Sequence, residues 1–251
     1  MRDALTRADQ TGAPFDLCSA CFFVGLIELF CGNATDAHSH ATRVAEVSAD
    51  KGIAFFAPVG RFLCGAALAQ VGEVDRGLTE MQQGLAEQQA VTGWFFCDLM
   101  LGFMAAAHGA AEQWAEGLRC ADEGIALTET MLERIYAAEL WRIKGELLVG
   151  QAQTSKTRTR PLPDDVTTAA RQCFRRAVEI AHAQGARSLT LRSATSLVRL
   201  SLGSATDEEA RALLRATYTS FTEGFDTRDL RDARALLAEI GSPRDPAAPI
   251  D

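Results

Sequence analysis

The sequence predicts an all-α protein built as an array of helix pairs, and three observations point to this fold class. Apolar residues recur at spacings of three and four over the segments 55–71 and 74–91, which indicates two amphipathic helices. No segment alternates apolar and polar positions with β-branched residues, so strands are not expected. The sequence also resembles itself at a spacing of 40 residues, which indicates stacked repeat units.

Small residues recur in three columns of this repeat. The columns are Gly25, Gly65, Ala105 and Gly145, then Ala37, Gly77, Gly117 and Ala170, and then Val44, Gly84, Gly124 and Ala177. Two helices approach closely only where one of them presents Gly or Ala to the other, and a Gly inside a helix costs about 1 kcal/mol against Ala. We therefore expect these positions to be the contacts within the helix pairs.

Large apolar residues form two further columns, one residue apart. One column is Phe15, Phe55, Phe95 and Ile135, and its neighbour contains Phe56, Phe96 and Tyr136. Adjacent residues point about 100° apart on a helix, so the two columns cannot share one core direction. We expect one column to form the core between repeats. The other either lines a groove or packs between neighbouring helix pairs, and packing is the favoured interpretation for both.

The fourth unit keeps the pattern once the polar, basic and Pro-containing segment 151–164 is removed, so this segment is predicted to be a surface insertion. The domain prediction is an N-terminal arm at 1–14, a single array at 15–240 and a disordered tail at 241–251. The basic residues of the insertion, Lys156, Arg158 and Arg160, are expected in a mobile linker rather than in a phosphate site.

Composition excludes several function classes. The chain has 251 residues, of which 47% are hydrophobic and 23% charged, as in an ordinary soluble globular protein. Its formal net charge is −8, with −10 in residues 1–150 and +2 in residues 151–251. Because nucleic acids and anionic membranes attract basic proteins, neither is an expected partner. The charge argues against such a partner for residues 1–150 and leaves residues 151–251 open.

The cysteines and the N-terminus predict a cytoplasmic protein. Seven scattered cysteines are an odd number for a disulfide framework, so reduced and buried thiols are expected. The N-terminus alternates Arg2, Asp3, Arg7 and Asp9 and lacks the basic start of a signal peptide. The most apolar stretch, 17–27, is shorter than the roughly 20 residues that cross a bilayer, so no membrane association is expected.

The fourth unit resembles a known helical repeat. Trp141-x2-Lys144-Gly145-x2-Leu148, followed by Ala170-x3-Phe174, is similar to the tetratricopeptide (TPR) consensus W-x2-L-G-x2-Y…A-x3-F. Lys144 departs from the consensus Leu, Leu148 replaces an aromatic residue, and the period of 40 exceeds the consensus period of about 34. The resemblance implies a right-handed α-solenoid of four to five divergent TPR-like helix pairs.

A second resemblance covers the C-terminal part. The segment Gly-Phe-Asp-Thr-Arg-Asp-Leu at 224–230 is similar to the end of bacterial multidomain signalling proteins, in which an AAA or STAND ATPase, often with a class III adenylate/guanylate cyclase domain, precedes a TPR solenoid. The resemblance implies a non-catalytic scaffold or sensor module whose partner is a protein, a peptide or upstream domains. Asp226 or Thr227 is suited to N-cap a last helix, which would cap the array, and Asp229 lies near its positive end.

No motif predicts an enzyme. Phosphate-binding glycine loops, dinucleotide fingerprints and zinc-protease or serine-hydrolase motifs are missing from the sequence. Cys18 and Cys21, with Cys31, His38 and His40, form the only combination that suggests a metal, but they fall in an apolar helix where thiols usually fill a core. We expect no catalysis, no cofactor and no metal.

The partner site is predicted on the concave face, which in TPR solenoids is formed by the first helix of each pair. The candidate residues on that face are Phe22, Phe62, Leu99, Glu139, Arg142 and Glu146. Glu139, Arg142 and Glu146 share a helix face, and the favoured interpretation of this triad is a surface salt bridge worth less than about 1 kcal/mol.

Two further interpretations remain open. The alternative function is a small-molecule-sensing solenoid that regulates an attached or partner effector, because aromatic-rimmed grooves can accept ligands. Phe15 already lies in the repeat register, so an upstream repeat of a longer protein would cover the first helix. In its absence we expect self-association through that helix, involving Phe22 and Leu26.

Overall fold

The computed structural model describes residues 2–130, 134–154, 162–202 and 208–241, and over these residues the chain is all-helical, without a strand. The all-α prediction is therefore confirmed. The helices are α1 (Arg2–Thr11), α2 (Pro14–Cys31), α3 (Ala34–Lys51), α4 (Phe56–Gln70), α5 (Val74–Thr92), α6 (Cys97–Ala110), α7 (Trp114–Thr130), α8 (Ala137–Thr154), α9 (Asp164–Ala183), α10 (Arg187–Leu200), α11 (Glu208–Thr219) and α12 (Arg228–Gly241).

The helices pack in two layers. Each helix contacts its neighbours in sequence, and α2, α4, α6, α8, α10 and α12 also contact one another in succession. We call these six helices the inner layer, because the end of α2 meets α10 and α12 across it. The Arg192 guanidinium of α10 reaches the backbone carbonyl of Phe30, and the Arg228 side chain of α12 lies beside Gly32.

The turns after the first four helices recur every 20 residues, which is half of the 40-residue repeat. Gly12, Gly32, Gly52 and Gly72 have positive φ and connect successive helices at intervals of 20 residues. Glycine is suited to these positions because other L-residues lose about 1–2 kcal/mol in the left-handed region. Glu112 occupies the corresponding turn after α6 with φ 57°. The sequence period is therefore a period of helix–turn units.

Residues 1–14, predicted as an arm, contain a helix. Helix α1 packs on α2 and follows the same turn spacing as the later helices. Its residue Ala8 is buried and occupies the register position of Ser48, Gln88 and Thr128, which are buried in α3, α5 and α7. Helix α1 thus lies in the register of the second helix of a pair.

The glycines of the repeat lie where helices approach closely. A methyl group on Gly77 would lie 2.5 Å from the carbonyl oxygen of Gly65, and one on Gly65 would lie 2.6 Å from that of Gly77. In the fourth unit, a methyl group on Gly145 would lie 2.5 Å from the Phe174 ring. These approaches leave no space for a side chain, which gives a physical reason for small residues at these positions.

The insertion and the tail fall largely outside the described residues. Helix α8 continues to Thr154 and α9 begins at Asp164, so the predicted loop starts inside α8. Lys156, Arg158 and Arg160 lie outside the described residues, as does the tail from residue 242.

Helix α2 is longer than the apolar stretch 17–27. Among the described helices it has the length and the mean hydropathy, 1.7, of a candidate membrane span. Seven of its residues are buried, and it packs against α3 and α4.

Replacing Gly77 with Ala should lower the free energy of unfolding by about 2 kcal/mol, because the added methyl group meets backbone atoms that cannot move independently. Gly109→Ala is the matched control, since its methyl group would meet only the flexible Leu147 side chain, whose Cδ2 lies at 2.7 Å, and the helix propensity of Ala offsets this contact. Urea unfolding of both variants measures the difference. Equal costs would contradict the proposed backbone contact.

Candidate functional site

A buried carboxylate lies near the start of α8. Glu139 is only 2% exposed, and an ionised carboxylate in such a position needs charged partners. Arg142, one helical turn later, donates from Nε to Glu139 Oε2 at 2.9 Å and from Nη2 to Oε1 at 2.7 Å. The pair is therefore bidentate, which is the strongest arrangement of these two groups.

A second guanidinium joins this pair to the two ends of the described chain. Arg192 of α10 donates to Glu139 Oε1 at 3.1 Å, to Asp229 Oδ2 of α12 at 2.6 Å and to the Phe30 carbonyl oxygen at the end of α2 at 2.7 Å. One side chain thus connects α2, α8, α10 and α12. We call Glu139, Arg142, Glu146, Arg192 and Asp229 the Arg192 cluster.

Glu146 completes the cluster at its more exposed side. It pairs with Arg142 Nη1, and Ser196 Oγ donates to the same carboxylate oxygen at 2.9 Å. The cluster contains two guanidinium groups and three carboxylates, so its charges nearly balance. Every member has a partner inside the protein, and none is presented unpaired to a ligand.

The cluster keeps its charges over the physiological pH range. Burial alone would raise the pKa of Glu139, but Arg142 and Arg192 outweigh it and lower the pKa to about 2. Burial would lower the pKa of Arg142, and Glu139 and Glu146 outweigh that effect and raise it. Both groups therefore stay charged near neutral pH, and their ion pairs hold α8 and α10 together.

Aromatic rings fill the space beneath the cluster. Phe30, Phe103 and Tyr136 stack on one another, with centroid distances of 5.7 to 5.9 Å. Gly102 leaves room for the Tyr136 ring, and the Arg192 guanidinium lies 5.8 Å from the Phe30 ring centre. The inner layer is thus closed by its own side chains.

Because side chains fill the inner layer, most of the residues that were predicted on a concave binding face are buried. Of the six residues predicted on a concave face, Phe22, Phe62, Leu99 and Glu139 are buried, and the Arg142 side chain is only 14% exposed. Glu146 is the exception, at 46%. A partner cannot reach the buried residues without displacing the protein's own side chains. Within the triad, the Glu139–Arg142 pair is buried beneath Arg192 of α10 and is not a surface salt bridge, whereas the Glu146 side chain stays half-exposed.

The sequence analysis did not predict that Arg192 binds Glu139 or that the Phe30 carbonyl oxygen accepts a hydrogen bond from Arg192. One signal was present, since Arg192 is the only charged residue in the segment 188–198, whose other members are apolar or carry hydroxyl groups. A lone charge in a segment that packs must find a buried partner.

The start of α12 also differs in detail from the expected cap. Thr227 precedes the helix and its carbonyl oxygen accepts the Arg231 N–H at 3.0 Å, but its hydroxyl donates to the Gly224 carbonyl oxygen. Asp229 binds Arg192.

The cysteine–histidine combination does not assemble into a metal site. Within the described ranges, no group of three or more His, Cys, Asp or Glu side chains has the geometry to hold a metal ion. Cys18 and Cys21 are buried, and burial raises the pKa of both thiols. These thiols therefore pack in the core in their protonated form.

One of the two large apolar columns reaches the surface. Phe56 and Tyr136 are buried, whereas Phe15 is 55% and Ile135 72% exposed. The ring of Phe55 lies 6.5 Å from Phe15 and 6.1 Å from Phe95, so the column is continuous across α2, α4 and α6. We call Phe15, Phe55, Phe95 and Ile135 the aromatic ridge.

A cavity of about 360 Å³ opens between α1, α2 and α3. Its floor is apolar, with Ala8, Leu17 and Val47, and Asp9 and Glu46 lie at its rim. The Asp9 carboxylate forms a salt bridge with Arg43, with 2.5 Å between Oδ1 and Nη2.

Comparison of the sequence with protein-family models gives no match, and comparison with curated proteins gives none either.

Replacing Arg192 with Leu should lower the free energy of unfolding by about 3–5 kcal/mol, because Glu139 would lose a partner while remaining buried. Arg199→Leu is the control. Its pair with Asp232, at 3.5 Å between half-exposed side chains, should contribute less than about 1 kcal/mol. Guanidinium unfolding measures both variants, and similar losses would contradict the assigned role of Arg192.

The contribution of Glu139 to the free energy of unfolding should depend on pH. Its pKa is about 2 in the folded protein against an ordinary value of 4.5, so its ionised form stabilises the fold above pH 4.5, and this contribution is lost as the pH falls towards 2. The variant Glu139→Gln should therefore be less stable than wild type at pH 7, and the difference should shrink between pH 5 and 2. Urea unfolding at a series of pH values tests this. A difference that does not vary with pH would contradict it.

Proposed function

We propose that this protein is a non-catalytic interaction module, a TPR-like solenoid that binds a protein partner and regulates or scaffolds a signalling assembly. The all-helical fold, the helix–turn period of 20 residues and the successive contacts of the inner layer support the solenoid assignment. The resemblances at 141–174 and 224–230 support a role beside a bacterial signalling ATPase or cyclase.

The aromatic ridge is the observation that carries the binding assignment. Three phenylalanine residues and one isoleucine, one from each of four consecutive units, form an apolar column that is partly exposed. Exposed apolar surface that continues across several structural units is typical of protein–protein recognition. Since the inner face is filled, we place the partner on this edge, at the beginning of α2, α4, α6 and α8.

The small-molecule alternative has one supporting observation, the cavity between α1, α2 and α3. Its volume of about 360 Å³ falls within the range of ligand pockets. A ligand at that place would contact Leu17 and Val47, and Leu17→Trp would fill the cavity. Thermal stabilisation of wild type by a compound, lost in Leu17→Trp, would favour the sensor function.

A pull-down from native-host lysate, analysed by mass spectrometry, tests the ridge. Wild type should enrich a defined protein, and the double variant Phe95→Ser/Ile135→Glu should lose it while keeping its helical circular-dichroism spectrum. The control is Val71→Glu, which alters an apolar residue of similar exposure, 56%, in the turn after α4, away from the ridge. Equal capture by all three proteins would exclude the ridge as the binding surface.

A further inference from the structure

Two small side chains leave room for the cavity between α1, α2 and α3. Ala8 and Ala13 both line this cavity. In the next 40-residue unit, Ser48 and Ile53 stand at the same register positions, and Ile53 packs against the core. In the unit after that, the position of Ala8 is taken by Gln88, whose side chain is fully buried. The cavity therefore lies where the first unit has less side-chain bulk than the next one.

The floor of the cavity suits an apolar group of modest size. Leu17 and Val47 line the floor, and both also pack against the core, so their positions are fixed. The volume of about 360 Å³ is near the lower end of the range for ligand pockets. A small molecule with one apolar group therefore fits this space.

The charged residues of the cavity leave one carboxylate without a counter-ion. Asp9 pairs with Arg43, and Asp50 pairs with Lys51 at 2.7 Å. Glu46 lines the same cavity, and within the described parts of the chain it forms neither an ion pair nor a hydrogen bond. A positively charged group in the cavity would supply the partner that Glu46 lacks.

The helix termini around the cavity favour the same charge. Helices α1 and α3 both end there, and the C-terminal end of a helix carries a partial negative charge. Helix α1 has no basic residue in its last turn to offset that charge. Helix α2 begins at the cavity with its positive end, but Pro14 has no N–H group and Asp16 lies in the first turn. The local field is therefore suited to a cation.

We infer that this cavity binds a small organic cation, with its apolar group against Leu17 and Val47 and its ammonium group at Glu46. The inference rests on the small-molecule alternative of the proposed function, for which it names the class of ligand. It does not involve the aromatic ridge, because the lining residues of the cavity do not include a member of the ridge.

Three probes that share a benzyl group test the charge preference. They are phenethylamine, which is a cation at neutral pH, the neutral phenethyl alcohol and the anion phenylacetate. Each is titrated into the isotope-labelled full chain, and amide NMR shifts give the site and the affinity. Wild type should bind phenethylamine about three- to fivefold more tightly than phenethyl alcohol, as expected for an exposed ion pair, and phenylacetate most weakly. The shifts should cluster at the lining residues of α1, α2 and α3.

Two variants separate the roles of charge and shape. Glu46→Gln should remove the preference for the amine over the alcohol, and Leu17→Trp should abolish binding of both because the indole ring fills the cavity. Glu239→Gln, which removes an exposed carboxylate on α12, is the matched control and should bind like wild type. Circular dichroism confirms that each variant is folded.

Several results would overturn the inference. These are shifts outside α1, α2 and α3, equal affinities of wild type for the amine and the alcohol, a preference that persists in Glu46→Gln, and no binding of phenethylamine at millimolar concentration. A neutral compound that stabilises wild type but not Leu17→Trp would also overturn the cation assignment, while it would leave the small-molecule-sensing function standing.

Discussion

The pairing of one buried carboxylate, Glu139, with two arginines holds together four of the six inner helices, α2, α8, α10 and α12. A carboxylate without water must keep charged partners, so Arg142 and Arg192 cannot leave it without a large cost in free energy. Arg192 also holds Asp229 and the Phe30 carbonyl oxygen, and through them it fixes α12 and α2 against α8. The contact of the end of α2 with α10 is therefore held by a polar group, and the rings of Phe30, Phe103 and Tyr136 fill the space beside it.

Much of the fold could be predicted because helices and the contacts between adjacent helices depend on residues that are close together in the sequence. The 40-residue period predicted units of two helices, and the columns of small residues predicted close contacts at positions such as Gly65 and Gly77, where the backbones nearly touch. Spacing also placed Glu139, Arg142 and Glu146 on one helix face. The contact between Arg192 and Phe30 spans 162 residues and depends on the accumulated curvature of several units, which no local pattern specifies. Phe22 and Phe62 are buried by rings of neighbouring inner helices, since Phe22 packs on Phe56 and Phe96 and Phe62 packs on Phe103.

The two columns of large apolar residues show that adjacent positions in the sequence can lie in the core and at the surface. Phe56 is buried and Phe55 is only partly covered, although both begin the same helix. Because the inner face is used for packing, apolar surface remains at the edge formed by the starts of the inner helices and on the outer face of α2. Recognition in this protein is accordingly proposed at edges and ends of the array, while the interior provides rigidity.

The closed inner layer is tested most directly by measuring a distance between its two ends in solution. Genetically encoded spin labels at Asn33 and Arg231 would avoid the seven cysteines and report the approach of α2 to α12 by double electron–electron resonance. The account predicts a single short and narrow distance distribution in an otherwise wild-type background, and a broad, longer one in Arg192→Leu. A broad distribution in the wild-type background, or an unchanged narrow one in Arg192→Leu, would contradict the claim that the Arg192 cluster closes the array.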